Sequence, residues 1–156
     1  MPNKKAAHPV ATIGYQGTTM DRFLAALTGE KVDLLVDVRA VASSRRAGFS
    51  KTALAANLDG AGIEYLHLRG LGTPADGRAA ARSGKHEEMH RIFGEHLATW
   101  EAQADLHRLE ELVRGGRHVA LLCFEADPAH CHRTLVARAL AERVPVHVTD
   151  LRPELE

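Results

Sequence analysis

Within the thirteen positions 121–133 the chain places both of its cysteines, Cys123 and Cys131, with His130, His132, Glu125, Asp127 and Arg133. These side chains can attack an electrophile, move a proton or hold an anion. The apolar run 118–123 suits a buried strand, and residues 134–143 suit a helix. Asp127 fits the N-cap of that helix and Pro128 its first position, where a missing N–H costs nothing. In that register Cys131 falls in the first helical turn, where free N–H groups and the positive dipole end favour a thiolate or a bound anion. Cys131 is therefore a candidate nucleophile. A competing reading uses the same spacing: Cys131, Leu135 and Ala139 recur every four residues, so Cys131 could be an inert member of a buried stripe. Cys123 could likewise be a packed thiol at a strand end.

The elements that must position these groups alternate along the whole chain. Apolar runs at 10–15, 34–39, 63–68, 118–123 and 146–149 are separated by helical patterns at 20–27, 50–58, 87–113 and 134–143, the third with a break near Gly94. This alternation predicts a single α/β domain over 10–150: a mainly parallel sheet of about five strands flanked by helices, Rossmann-like and three-layered. Residues 1–9 and 151–156 are expected to be tails, and 70–84 a mobile loop of small residues. With 156 residues there is room for one core and not comfortably for two. Lysine plus arginine equals aspartate plus glutamate at 20 each, so no global field drives the chain onto nucleic acid or membrane. Two cysteines are too few for a disulfide scaffold, and neither a signal peptide nor a spanning segment is visible. A reducing cytoplasmic setting is the expectation.

In an open parallel sheet, ligands bind beyond the carboxyl ends of the strands. Those ends deliver Tyr15 from the first strand, Asp37 and Arg39 from the second, Tyr65 and His67 from the third, and Cys123 and Glu125 from the fourth. The loop 42–51 follows the second strand and adds Ser44 and Arg45, donors suited to phosphate or carboxylate oxygens. Each has a plainer alternative. Arg45 and Arg46 could be a solvated loop, Asp37 could simply orient Arg39 as a partly buried ion pair, and His67 could satisfy a backbone carbonyl instead of acting as a general acid or base. Four histidines, His86, His90, His96 and His107, fall on the long polar helix and read as a solvated face. A metal could use Cys123, Cys131 and one of His130, His132 or His67, but the spacing matches no standard zinc pattern. No metal site is expected, and no cofactor is indicated.

The strand 35–39 resembles that of rhodanese-type sulfurtransferases, but Glu125 and Asp127 follow Cys123 where such an anion loop needs glycine and arginine. Two carboxylates beside the thiol would repel an anion, which disfavours that mechanism at Cys123. No Walker loop or Gly-x-Gly-x-x-Gly fingerprint follows any strand. Taken in order, Thr12-Ile13-Gly14-Tyr15, Leu35-Val36-Asp37-Val38-Arg39, Ser44-Arg45, Phe49-Ser50-Lys51, Gly62-Ile63-Glu64-Tyr65, Leu71-Gly72, Leu122-Cys123-Phe124-Glu125 and Cys131-His132-Arg133 resemble domain-of-unknown-function family 488, of uncharacterised bacterial and archaeal proteins. The resemblance covers about 10–150. It implies that Asp37, Arg39, Ser44, Arg45, Tyr65, Cys123, Glu125, Cys131, His132 and Arg133 are the family's characteristic polar set, and it supplies no reaction. Where many members carry proline after the Asp-x-Arg strand, this chain has Ala42.

The resulting expectation is an anion site, phosphate-bearing in preference, held by Arg39, Arg45 and Arg133 with the amino end of the helix that follows the fourth strand. The ligand would be a small molecule, nucleotide or nucleic acid, and no membrane is involved. If the protein is a hydrolase or transferase, Glu125 or His67 moves the proton and Cys131 is the nucleophile. Tyr15, Asp37, Ser44, Tyr65, Cys123 and His132 complete the binding set. The alternatives are a ligand-binding module without turnover, or a thiol redox or metal sensor built on Cys123 and Cys131. Oligomeric state is left open.

Overall fold

The computed structural model describes residues 7–156. Five strands, β1 (His8–Gly14), β2 (Leu34–Asp37), β3 (Glu64–His67), β4 (Val119–Cys123) and β5 (Val146–Leu151), form one sheet in the order β3-β2-β4-β1-β5 with every pairing parallel. The helices are α1 (Met20–Gly29), α2 (Lys51–Gly60), α3 (Ala75–Arg82), α4 (His86–Leu97), α5 (Trp100–Arg114) and α6 (Arg133–Ala141). Strand alternation splits the core between two faces. Ile13, Leu35 and Leu122 pack against Phe23 and Leu27 of α1 and Leu54 and Leu58 of α2. On the other face, Val36 and Leu121 pack against Phe93 of α4, Leu109 of α5 and Leu140 of α6. β4 lies between β2 and β1 and is buried along its whole length, so its sequence Val-Ala-Leu-Leu-Cys is apolar throughout, not alternating. The expected single α/β domain, three layers deep, is what forms.

The chain leaves β1 through α1 toward β2, whereas it leaves β4 through α6 toward β5 on the opposite face. The connections diverge between these two adjacent strands, and this opens a crevice beyond their carboxyl ends. No helix among the described residues is long and apolar enough to cross a membrane.

Several expected boundaries differ. The single helix over 87–113 is two, α4 and α5, and the break falls at Thr99, not Gly94. The Thr99 hydroxyl caps α5 by accepting from the Ala102 N–H at 3.3 Å, while Gly94 is accommodated on an exposed face. The expected loop 70–84 holds a 3-10 turn (Arg69–Leu71) and α3. Its alanines favour helix. Its glycine at 77 is a packing requirement, because a Cβ there would lie 2.5 Å from Thr73 Cγ2 and 3.1 Å from Ile92 Cγ2 of α4. The expected tails also differ. His8 and Pro9 already belong to β1, residues 1–6 lie outside the described residues, and Leu151 ends β5. Beyond it Leu155 forms an antiparallel bridge to Thr18, whose hydroxyl donates to the Glu154 carbonyl at 2.6 Å.

Candidate functional site at the carboxyl edge

The crevice has a volume of about 660 Å³, within the range of small-ligand sites. Its walls come from the turns after β1 and β4, the loop after β2, and α3. Tyr15 and Gln16 donate their N–H groups to the Phe124 carbonyl at 3.1 and 2.9 Å, which ties the first two turns together. This closeness requires Gly14: a Cβ there would sit 1.8 Å from the Glu125 carbonyl oxygen. Arg133 clamps the same turn from beneath. Its Nη1 donates to the Glu125 carbonyl at 2.6 Å and its Nη2 to that of Ala126 at 3.4 Å, and the side chain is fully buried.

Arg133 therefore does not reach the crevice, contrary to expectation. The helix start is also displaced. Asp127 caps a short 3-10 turn (Pro128–His130), Cys131 is extended with φ −127° and ψ 144°, and α6 begins at Arg133 with His132 as its cap. Cys131 is thus outside the helical turn that was to activate it. It is 1% exposed, and burial first, then the neighbouring Cys123, pushes its thiol well above the usual range. The electrostatic case for Cys131 as nucleophile falls with the register.

On the α1–α2 face of the sheet, Asp37 and Arg39 form a buried pair. Arg39 Nε donates to Asp37 Oδ1 at 2.9 Å and Nη2 to Oδ2 at 2.7 Å, while Nη1 donates to the Tyr15 hydroxyl at 3.1 Å and the Phe49 carbonyl at 2.8 Å. Tyr65 donates its hydroxyl to Asp37 Oδ2 at 2.6 Å. Burial raises the Tyr65 phenol above its ordinary value, and the bond to Asp37 raises it further. Burial alone would lower the Arg39 value, but the bonds and charge of Asp37 outweigh it and the guanidinium stays charged. Most of the Arg39 donors are committed. Asp37 and Tyr65 act through it from behind the crevice wall. His67 likewise does not line the crevice: its Nε2 donates to the Arg39 carbonyl at 2.7 Å, which removes the geometric basis for it as the acid or base.

On the opposite face, Cys123 and His132 reach the crevice floor, with Cys131 directly behind them. His132 Nε2 donates to the Val38 carbonyl at 2.7 Å, which leaves Nδ1 turned to the sulfurs, 3.4 Å from Cys123 Sγ and 3.9 Å from Cys131 Sγ. The three ligand-type atoms lie within 4.8 Å of one another. Glu125 Oε2 is 3.6 Å from Cys123 Sγ. Burial alone would lower the His132 value, but Cys131, the Val38 carbonyl and Glu125 raise it on balance. Both cysteines are free thiols.

Tyr15, Arg39, Ser44, Arg45, Cys123, Glu125 and His132 line the crevice together. Arg46, of the donor loop, lines it too, and so do Thr73, Arg78 and Arg82, which the sequence did not point to. Arg78 and Arg82 stand four apart on α3, one face of a helix that the small-residue stretch concealed. Among the described residues, Arg39 pairs with Asp37 and Arg46 with Glu156, whereas Arg45, Arg78 and Arg82 enter no ion pair. Of the five arginines in the lining, three are thus unpaired, against one lining carboxylate, Glu125, in a protein whose formal net charge is zero.

A family model described as domain of unknown function DUF488 matches residues 19–140. No curated protein matches the chain.

Proposed function

The chain belongs to the DUF488 family, and for it we propose a binding site for a phosphate-bearing anion at the carboxyl edge of the sheet, with hydrolysis or group transfer on that ligand. The observation that carries this reading is that three arginines lining the crevice, Arg45, Arg78 and Arg82, have no carboxylate partner among the described residues, against the one lining carboxylate, Glu125. Arg45 and Arg82 are exposed at its mouth, and Arg78 is half-buried with one donor on the Thr73 carbonyl at 2.9 Å. Guanidiniums free of carboxylates are the groups that gain most from a phosphate. Nucleotides and nucleic-acid ends carry such groups. Glu125 is the proton-transfer group, being the one carboxylate in the lining, and the free thiols suit a reducing cytoplasm.

Binding without turnover is the second reading, and the sealed Cys131 favours it by removing a nucleophile. Calorimetric titration with pyrophosphate tests the site. Arg45→Ala and Arg82→Ala should each weaken binding about tenfold, the cost of one charge-assisted bond, and added salt should weaken it further. Unchanged affinity in the double variant refutes the proposal. Glu125→Gln then separates the two readings: with a chromogenic phosphoester as probe, an enzyme loses rate with binding retained, whereas a binder shows no turnover in either form.

A further inference from the structure

We infer that Cys123, Cys131 and His132 form a binding site for a zinc-class divalent ion, with its fourth coordination position open to the crevice. Tetrahedral zinc with Zn–S of about 2.3 Å and Zn–N of about 2.0–2.1 Å requires sulfur and nitrogen ligands to lie about 3.6 Å apart. His132 Nδ1 is 3.4 Å from Cys123 Sγ and 3.9 Å from Cys131 Sγ, one value on each side of that requirement. All three donor atoms lie within 4.8 Å, and all three residues are buried.

The imidazole is already set as a ligand. Its Nε2–H is held by the Val38 carbonyl at 2.7 Å, the outer contact that fixes ring orientation in metal sites and frees Nδ1. The Cys123 thiol can also donate to Glu125 Oε2 at 3.6 Å, so the convergence of the three donor atoms, and not an unmet hydrogen bond, carries the inference. Charge balance also fits: a divalent ion displaces the two thiol protons, and two thiolates neutralise it where a net charge would be costly. Two sulfurs and one nitrogen select a borderline-soft metal over magnesium or calcium. Cys123 and His132 line the crevice floor, so the open position faces the ligand space, beside Glu125.

The site is independent of the anion reading and is tested with metal alone. The full chain, purified without a histidine tag, reduced and stripped with chelator, is titrated with Zn²⁺ against a chromophoric chelator and separately with Co²⁺. The expected results are one ion per chain, release of two protons, protection of both thiols from a thiol reagent, and thiolate-to-cobalt charge-transfer absorption. Cys123→Ala, whose fold is checked by circular dichroism, should lose roughly 100-fold or more in affinity, beyond the loss from an outer contact. His132→Gln serves as the second variant and should lose as much. The inference is overturned by a chain whose thiols both titrate freely in excess zinc, by a cobalt spectrum without the charge-transfer band, or by either variant binding as tightly as the parent. Pyrophosphate titration on the stripped chain reports on the anion reading separately.

Discussion

Two polar clusters stand on opposite faces of the sheet at its carboxyl edge, and they differ in how completely their bonding is satisfied. Asp37 accepts from Arg39 Nε, Nη2 and N and from the Tyr65 hydroxyl, and Arg39 spends two more donors on Tyr15 and Phe49. Across the sheet, Cys123, Cys131 and His132 meet at 3.4 and 3.9 Å through weak sulfur contacts, with only the His132 Nε2 bond to Val38 strong. A saturated network holds a shape, and an undersaturated one keeps valence for a ligand. In the proposed function, the Asp37 cluster is the frame of the site, and the sulfur cluster with the unpaired arginines is its working surface.

Removing the centre of the frame should have the largest effect. Asp37→Ala leaves the buried Arg39 charge unpaired and should cost about 3–5 kcal/mol in denaturant unfolding. A loss under about 1 kcal/mol would show that the pair is not the frame. Tyr65→Phe removes one bond from the same network and should cost about 1 kcal/mol at neutral pH. It also carries a pH signature. The Tyr65 phenol is raised above its ordinary value of 10.0, so its contribution is fully present below pH 10 and is lost as pH rises through the higher folded value. Stability of the parent should therefore fall as pH climbs above 10, and Tyr65→Phe should lack that component and the late phenolate absorbance step. The smallest effect belongs to the other cluster: in metal-free protein, Cys123→Ala should cost less than about 1 kcal/mol, since it deletes one small apolar-like group at the crevice floor. A cost matching that of Asp37→Ala would erase the contrast between the two clusters.

The sheet was legible in the sequence because β1, β2 and β4 are short apolar runs buried on both faces, which need no alternation to be recognised, while the edge strands β3 and β5 mix apolar with polar residues. Asp37, Arg39, Tyr15 and Cys123 were legible as strand ends that share one edge. Their division of labour was not. Asp37 and Tyr65 look like ligand groups from their types, yet the parallel register of β2 with β3 sets Leu35 opposite Tyr65 and Asp37 opposite His67, and the Tyr65 hydroxyl bonds Asp37 instead of projecting into the crevice. The register of α6 misled for a related reason. Asp127 and Pro128 carry the signature of a helix start, but the helix they start lasts one 3-10 turn before Cys131 extends the chain. Arg78 and Arg82 were missed because glycine and serine around them read as a loop, while the glycine at 77 serves the contact of α3 with α4.

The chain's own residue order determined the layered architecture, the edge at which polar groups gather, and the absence of a net charge, because these depend on local periodicity and composition. Which arginines are free, which cysteine is sealed, and that two sulfurs and an imidazole nitrogen converge were decided by tertiary structure. Those outcomes rest on distances between residues far apart along the chain, such as His132 with Val38 and Arg39 with Tyr15, and local sequence carries no record of a distance set by packing.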